Sequence, residues 1–152
     1  MPEIKVAFLG FGNVGKALAR LMIEKRQELI QRYDLVITTT GIATGHHGMA
    51  IDPWGIDLES ALAGELADLN RVDGVNDALE FIRQCGAQVL FENSPVNYET
   101  GQPALDHLRL ALELGMHAIT ANKGPVVHAY RALTEFAKTK NRWSGCSTLS
   151  SS

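Results

Sequence analysis

Ile4 to Leu9 is a short β-rich run closed by glycines, and it predicts a strand. From Asn13 to about Arg32 the period lengthens. Val14, Leu18, Leu21 and Met22 share one face and Lys16, Arg20 and Glu24 another, which predicts an amphipathic helix. Leu35 to Thr40 is β-branched and reads as a second strand. The polar, glycine-bearing stretch ATGHHGMAIDPWG that follows reads as a loop. Asp57 can cap a short helix through Leu62, weakened by Gly64, and Asn76 can cap another that ends near Cys85-Gly86. Ala87 to Phe91 reads as a strand. Pro103 opens a helix with Leu105, Leu108 and Leu112 on its apolar face, closed by Gly115. His117 to Ala121 reads as a strand. Val126 to Lys138 reads as a helix with Ala129, Leu133, Phe136 and Ala137 on one side. Strands alternating with helices predict an α/β fold, with a mainly parallel sheet covered on both faces.

Composition narrows this picture by exclusion. The 152 residues suit one domain with a real core, and 45% apolar and 20% charged content is ordinary for a globular protein. A net charge of −3 gives no electrostatic case for nucleic acid or an anionic membrane as partner. No apolar run approaches the roughly 20 residues of a membrane span. The opening MPEIKVAFLG goes straight into the first strand and lacks a cleavable apolar segment. Cys85 and Cys146 show neither metal nor disulfide spacing, so the expected setting is cytoplasmic, with reduced thiols.

Residues 10 to 15 read GFGNVG, a GxGxxG that follows a predicted strand and opens a long predicted helix. Gly10 permits the tight turn. Gly12 lets backbone approach a pyrophosphate with no Cβ in the way, and Gly15 lets helix and strand pack closely. The helix start offers unpaired N–H groups and partial positive charge to phosphate. This context points to a Rossmann-like, doubly wound sheet, with Gly10, Phe11, Gly12, Asn13, Val14 and Gly15 as cofactor-binding residues; the plainer alternative is a purely structural glycine turn. Gly10 to Lys16 also fits most of a triphosphatase loop, GxxxxGK. That motif needs a Ser or Thr next to bind Mg²⁺, and Ala17 supplies no hydroxyl. The end of the second strand carries Ala43-Thr44-Gly45-His46-His47 and no acid for a ribose 2′-hydroxyl. That leans to NADP over NAD, although no arginine waits there for a 2′-phosphate. Adjacent His46 and His47 without a third ligand do not have metal-site spacing.

Three segments together, GFGNVG, ENSPVNYETGQPAL and LGMHAITANKGPV, resemble the nucleotide-binding half of homoserine dehydrogenase, from about Ile4 to Lys140. Aspartate dehydrogenase has a similar nucleotide domain but is not expected to carry both of the later segments. The resemblance implies an oxidoreductase that interconverts homoserine and aspartate 4-semialdehyde with NAD or NADP, on the route to threonine and methionine. It implies that Asn93, Ser94 and Pro95 lie along the nicotinamide and its ribose, and that Asn122 and Lys123 sit where cofactor and substrate meet. Lys123 is the candidate catalytic residue, holding polar groups of the cofactor or a substrate oxygen whose charge rises during hydride transfer. The plainer role for Lys123 is an ion pair with a carboxylate such as Glu92.

The likeness ends after Lys140, where NRWSGCSTLSSS follows. The expected organisation is an NAD(P)-binding domain over residues 1–140 and a serine-rich, disordered tail over 141–152. Relative to the family this reads as a truncated, frameshifted or degenerate chain, or as a genuine one-domain descendant. It would act on a small amino-acid substrate only with a catalytic domain supplied, and would tend to self-associate through uncovered apolar surface. The alternatives are a stand-alone dinucleotide-binding or sensing module and an aspartate dehydrogenase-like protein.

Overall fold

The computed structural model describes residues 2–44, 48–64, 77–94, 102–120, 135–140 and 144–146. In chain order these form β1 (Glu3–Leu9), α1 (Asn13–Tyr33), β2 (Val36–Ala43), β3 (Met49–Ile51), α2 (Leu58–Leu62), α3 (Ala78–Gln84), β4 (Val89–Glu92), α4 (Ala104–Glu113), β5 (His117–Thr120) and β6 (Ser144–Cys146). Residues 135–139 are also helical. The six strands make one sheet in the order β3-β2-β1-β4-β5-β6, parallel except for the β2–β3 pair. The α/β, doubly wound expectation therefore holds.

Alternation along β1 divides the core. Ala7 and Leu9 face one buried cluster with Leu90, Leu108, Leu112 and Ala118, beneath α3 and α4. Val6 and Phe8 face a second cluster with Ala19, Ile42, Leu58 and Ala61, beneath α1 and α2. Phe8 anchors that second layer. Its ring lies 5.5 Å from Phe11 in an edge-on contact and 5.4 Å from Phe91.

Several elements differ from the sequence reading. The buried stripe of α1 centres on Gly15 and Ala19, and Leu21 is 38% exposed. Two small residues let the helix lie close to the sheet, so the stripe turns toward them, with Leu18, Met22 and Ile23 at its margins. β2 runs on to Ala43, and β3 arises within the stretch read as loop. Three residues are too few to show a period, and β3 exists because the β2 edge offers it antiparallel partners from Gly41 to Ala43. Asp57 caps α2 as expected, accepting from the Glu59 N–H at 3.2 Å. The cap of α3 is Asp77, not Asn76; its carboxylate accepts from the Glu80 N–H at 2.8 Å. Ser144–Cys146, inside the segment expected to be disordered, pair in parallel with Ala118–Thr120. The predicted helix over 126–134 lies outside the described residues; in the part described, Ala137 is buried and Phe136 packs beside it.

Candidate cofactor crevice

Ala43, Leu9, Glu92, Thr120 and Cys146 stand in one row across the sheet, because the registers β2–β1–β4–β5–β6 place them opposite one another. Five strands thus deliver their carboxyl ends to a common edge. β1 and β4 are neighbours there, and their connections leave toward opposite faces. That is the topological switch point at which open parallel sheets bind ligands.

Gly10 leaves β1 with φ +96°, a left-handed conformation that favours glycine. Its N–H donates to the Ala43 carbonyl at 2.9 Å, tying the turn to the end of β2. A Cβ at this position would lie 2.6 Å from the Asn93 carbonyl carbon and 2.8 Å from the Ser94 nitrogen. A Cβ at Gly15 would lie 2.8 Å from the Gly10 carbonyl oxygen. Both glycines are required by the protein's own packing.

Gly12 is different. It caps α1 with φ −88° and ψ −147°, and a Cβ there would meet nothing within 4 Å. No neighbouring atom among the described residues fills the place of its side chain, so the space fits a group from outside. The helix that starts beside it has no side-chain cap and no acid in its first turn, which leaves its N-terminal field to an anion. Asn13 is exposed and Val14 half-buried. Phe11, by contrast, turns its ring into the core against Phe8, so only its backbone can serve the crevice.

The opposite wall is the turn after β4. The Asn93 N–H donates to the Leu9 carbonyl at 2.7 Å, which locks this turn to the end of β1. Asn93 Nδ2 is buried with no hydrogen-bond partner among the described residues. An orphaned donor beside an open cradle fits a ligand acceptor. Below it Glu92 is fully buried. One carboxylate oxygen, Oε1, accepts from the Ser94 N–H at 2.8 Å and from the Ser94 hydroxyl. The other, Oε2, lies 2.8 Å from His107 Nδ1 on α4. The sequence reading placed Glu92 at this edge but not its histidine. His107 follows Leu105 and precedes Leu108, and its aim at a carboxylate fifteen residues back has no sequence signature.

Gly10, Gly12, Gly15, Asn93 and Ser94 therefore meet at one edge. Pro95, Asn122, Lys123, His46 and His47 lie outside the described residues. β5 ends at Thr120, level with Glu92. Among the described residues no group of His, Cys, Asp and Glu could hold a metal. No described helix is long and apolar enough to cross a membrane. The Cys85 thiol is buried, and desolvation pushes its pKa above the usual thiol value, opposed in part by backbone hydrogen bonds; it is not poised as a nucleophile.

The edge, the switch point and the glycine turn define a Rossmann-like domain of the dinucleotide-binding class. No protein-family model matches the chain. The NAD(+)-dependent homoserine dehydrogenase of Pseudomonas canavaninivorans is 34% identical over 148 residues, 93% of this chain and 42% of that protein. Among solved structures, a protein of Archaeoglobus fulgidus provisionally named homoserine dehydrogenase superposes with a TM-score of 0.73 at 28% identity, over 94% of this chain and 41% of that one. A hyperthermophilic archaeal homoserine dehydrogenase in complex with NADPH shares the fold, with a TM-score of 0.73 at 24% identity, over 95% of this chain and 43% of its own. The chain is similar to homoserine dehydrogenases in sequence and in fold. It spans about two-fifths of the length of the curated relatives it matches.

Proposed function

We propose that this chain binds NAD(P) as the nucleotide-binding part of a cytoplasmic homoserine dehydrogenase. The observation that carries the reading is the pairing of Gly12, beside which space is open, with a helix start that has no side-chain cap, at the switch point. Backbone of Gly10 to Gly15 would hold the pyrophosphate, with Asn13 and Val14 in the first helical turn. Asn93, Ser94 and Pro95 would line the nicotinamide half, where the free Asn93 Nδ2 donor finds an acceptor. Asn122 and Lys123 complete the proposed site, with Lys123 polarising an oxygen of the substrate. When bound, the dinucleotide supplies the hydride acceptor; the chain's part is to orient it and to shield it from water.

Oxidation of homoserine is proposed for this chain together with a substrate-holding part, because the relatives extend well beyond the matched portion. Positioning two reactants is worth roughly 7–11 kcal/mol of barrier, more than one lysine beside an open crevice provides. Both cofactors stay within the proposal. The Pseudomonas relative is named for NAD(+) and the archaeal structure holds NADPH.

Titration of NADPH and NADH fluorescence against the folded chain tests the reading, and saturable binding of at least one is expected. The Gly12→Val chain should stay folded, with a stability loss of about 1 kcal/mol from the poorer N-cap, and bind far more weakly, since a branched side chain would fill the pyrophosphate's space. Equal binding by parent and variant would remove the basis for the site.

A further inference from the structure

We propose that His107 is a positioning residue for the cofactor crevice: through Glu92 it holds the Asn93–Ser94 peptide in the place the glycine turn requires. The inference rests on the dinucleotide-binding reading and adds a residue of α4 that does not face the crevice edge itself.

Three contacts form a chain. His107 Nδ1 lies 2.8 Å from Glu92 Oε2. A carboxylate oxygen can only accept, so in this contact Nδ1 is the donor. Glu92 Oε1 then accepts from the Ser94 N–H at 2.8 Å. That N–H belongs to the peptide whose atoms lie 2.6–2.8 Å from where a Gly10 Cβ would stand. The peptide gripped by Glu92 is therefore the one that sets the wall of the glycine turn.

Packing alone does not account for the arrangement. Glu92 is 0% exposed and His107 6%, and a buried carboxylate with its partner carries a desolvation cost that a pair of leucines of similar volume avoids. The carboxylate has its two oxygens committed in different directions, one to α4 and one to the turn. His107 on one side and the Ser94 N–H on the other hold the carboxylate's last torsion from two directions. Ser94 Oγ also comes within 3.5 Å of His107 Nδ1, so the three side chains cluster under the turn. A site held from below in this way is preorganised, and preorganisation is read as affinity.

The test uses the full chain and NADPH, with fluorescence titration and thermal unfolding followed in parallel. His107→Leu keeps the volume and removes the donor. His107→Asn places an amide N–H close to where Nδ1–H stands. Leu108→Ala, on the same helix in the core, lowers stability without touching the cluster. At a temperature where all are folded, His107→Leu should weaken NADPH about tenfold or more. His107→Asn should recover most of that loss, and Leu108→Ala should bind like the parent. Normal binding by folded His107→Leu overturns the proposal, and so does His107→Asn that folds but binds no better than His107→Leu. Should the leucine variant not fold, His107→Asn decides: parental affinity supports the role, and loss of affinity in a folded chain ends it. A parent chain that binds neither NADPH nor NADH overturns the dinucleotide reading itself, a result distinct from all of these.

Discussion

At the end of β1 the crevice wall is backbone; at the end of β4 it is backbone held in place by buried side chains. The first turn works by omission. Gly10 and Gly15 lack a Cβ because neighbouring main chain occupies the space, and Gly12 lacks one where the space is open. The second turn works by attachment. Glu92 and His107 bury polar groups beneath Asn93 and Ser94 and spend hydrogen bonds on fixing them. The contrast shows two ways to make a rigid ligand edge: remove side chains so that main chain can approach, or add a polar cluster so that main chain cannot move. The two depend on each other, because the peptide fixed by Glu92 is the one Gly10 packs against.

Breaking the attached wall should have the larger effect. Glu92→Ala removes one partner of a buried pair and leaves His107 without it, at an expected cost of about 3–5 kcal/mol in urea unfolding. A loss below about 1 kcal/mol would mean that the second turn is not held as described. Gly10→Ala comes next. It forces a side chain into a left-handed backbone position and against the Asn93 carbonyl, for about 2–4 kcal/mol of strain and overpacking. If the alanine variant unfolds at the parental denaturant midpoint, the two turns are not in contact.

Gly12→Ala sharpens the comparison by separating stability from binding. Its place is free of neighbouring atoms, so unfolding should shift by no more than about 1 kcal/mol, with a small loss the expected sign because glycine outranks alanine at an N-cap. Affinity for NADPH should fall as well. A stability loss as large as that of Gly10→Ala would place Gly12 in the same class as Gly10. The smallest effect is expected away from both turns. Trp54 is 93% exposed on a tight turn after β3, where its N–H is held by the Asp52 carboxylate at 2.9 Å. Trp54→Ser should change stability by no more than about 0.5 kcal/mol and leave NADPH titrations unaltered, which gives the baseline for the other variants.

The glycine turn was legible because its physics is local. A strand, three glycines at fixed spacing and a helical period lie within thirty residues, and each constrains the next. The capping of α2 by Asp57 was legible for the same reason. The shift from Asn76 to Asp77 shows the limit. Both residue types can cap, and only the backbone path shows that Asp77 stands three residues before the N–H it accepts from. β3 and β6 were missed because each has three residues and owes its existence to the edge of a neighbouring strand. Such strands carry no period of their own.

By itself the sequence determined the alternation of strands and helices, the glycine turn and the class of ligand it suits, since these rest on side-chain period and on the absence of Cβ atoms at fixed local spacings. The tertiary structure alone decided that Gly10 meets Asn93, that Glu92 meets His107, and that Phe11 faces the core. Those outcomes depend on which strands become neighbours. A buried carboxylate takes whichever donor the packing of a later helix brings within reach, and no spacing along the chain encodes that distance.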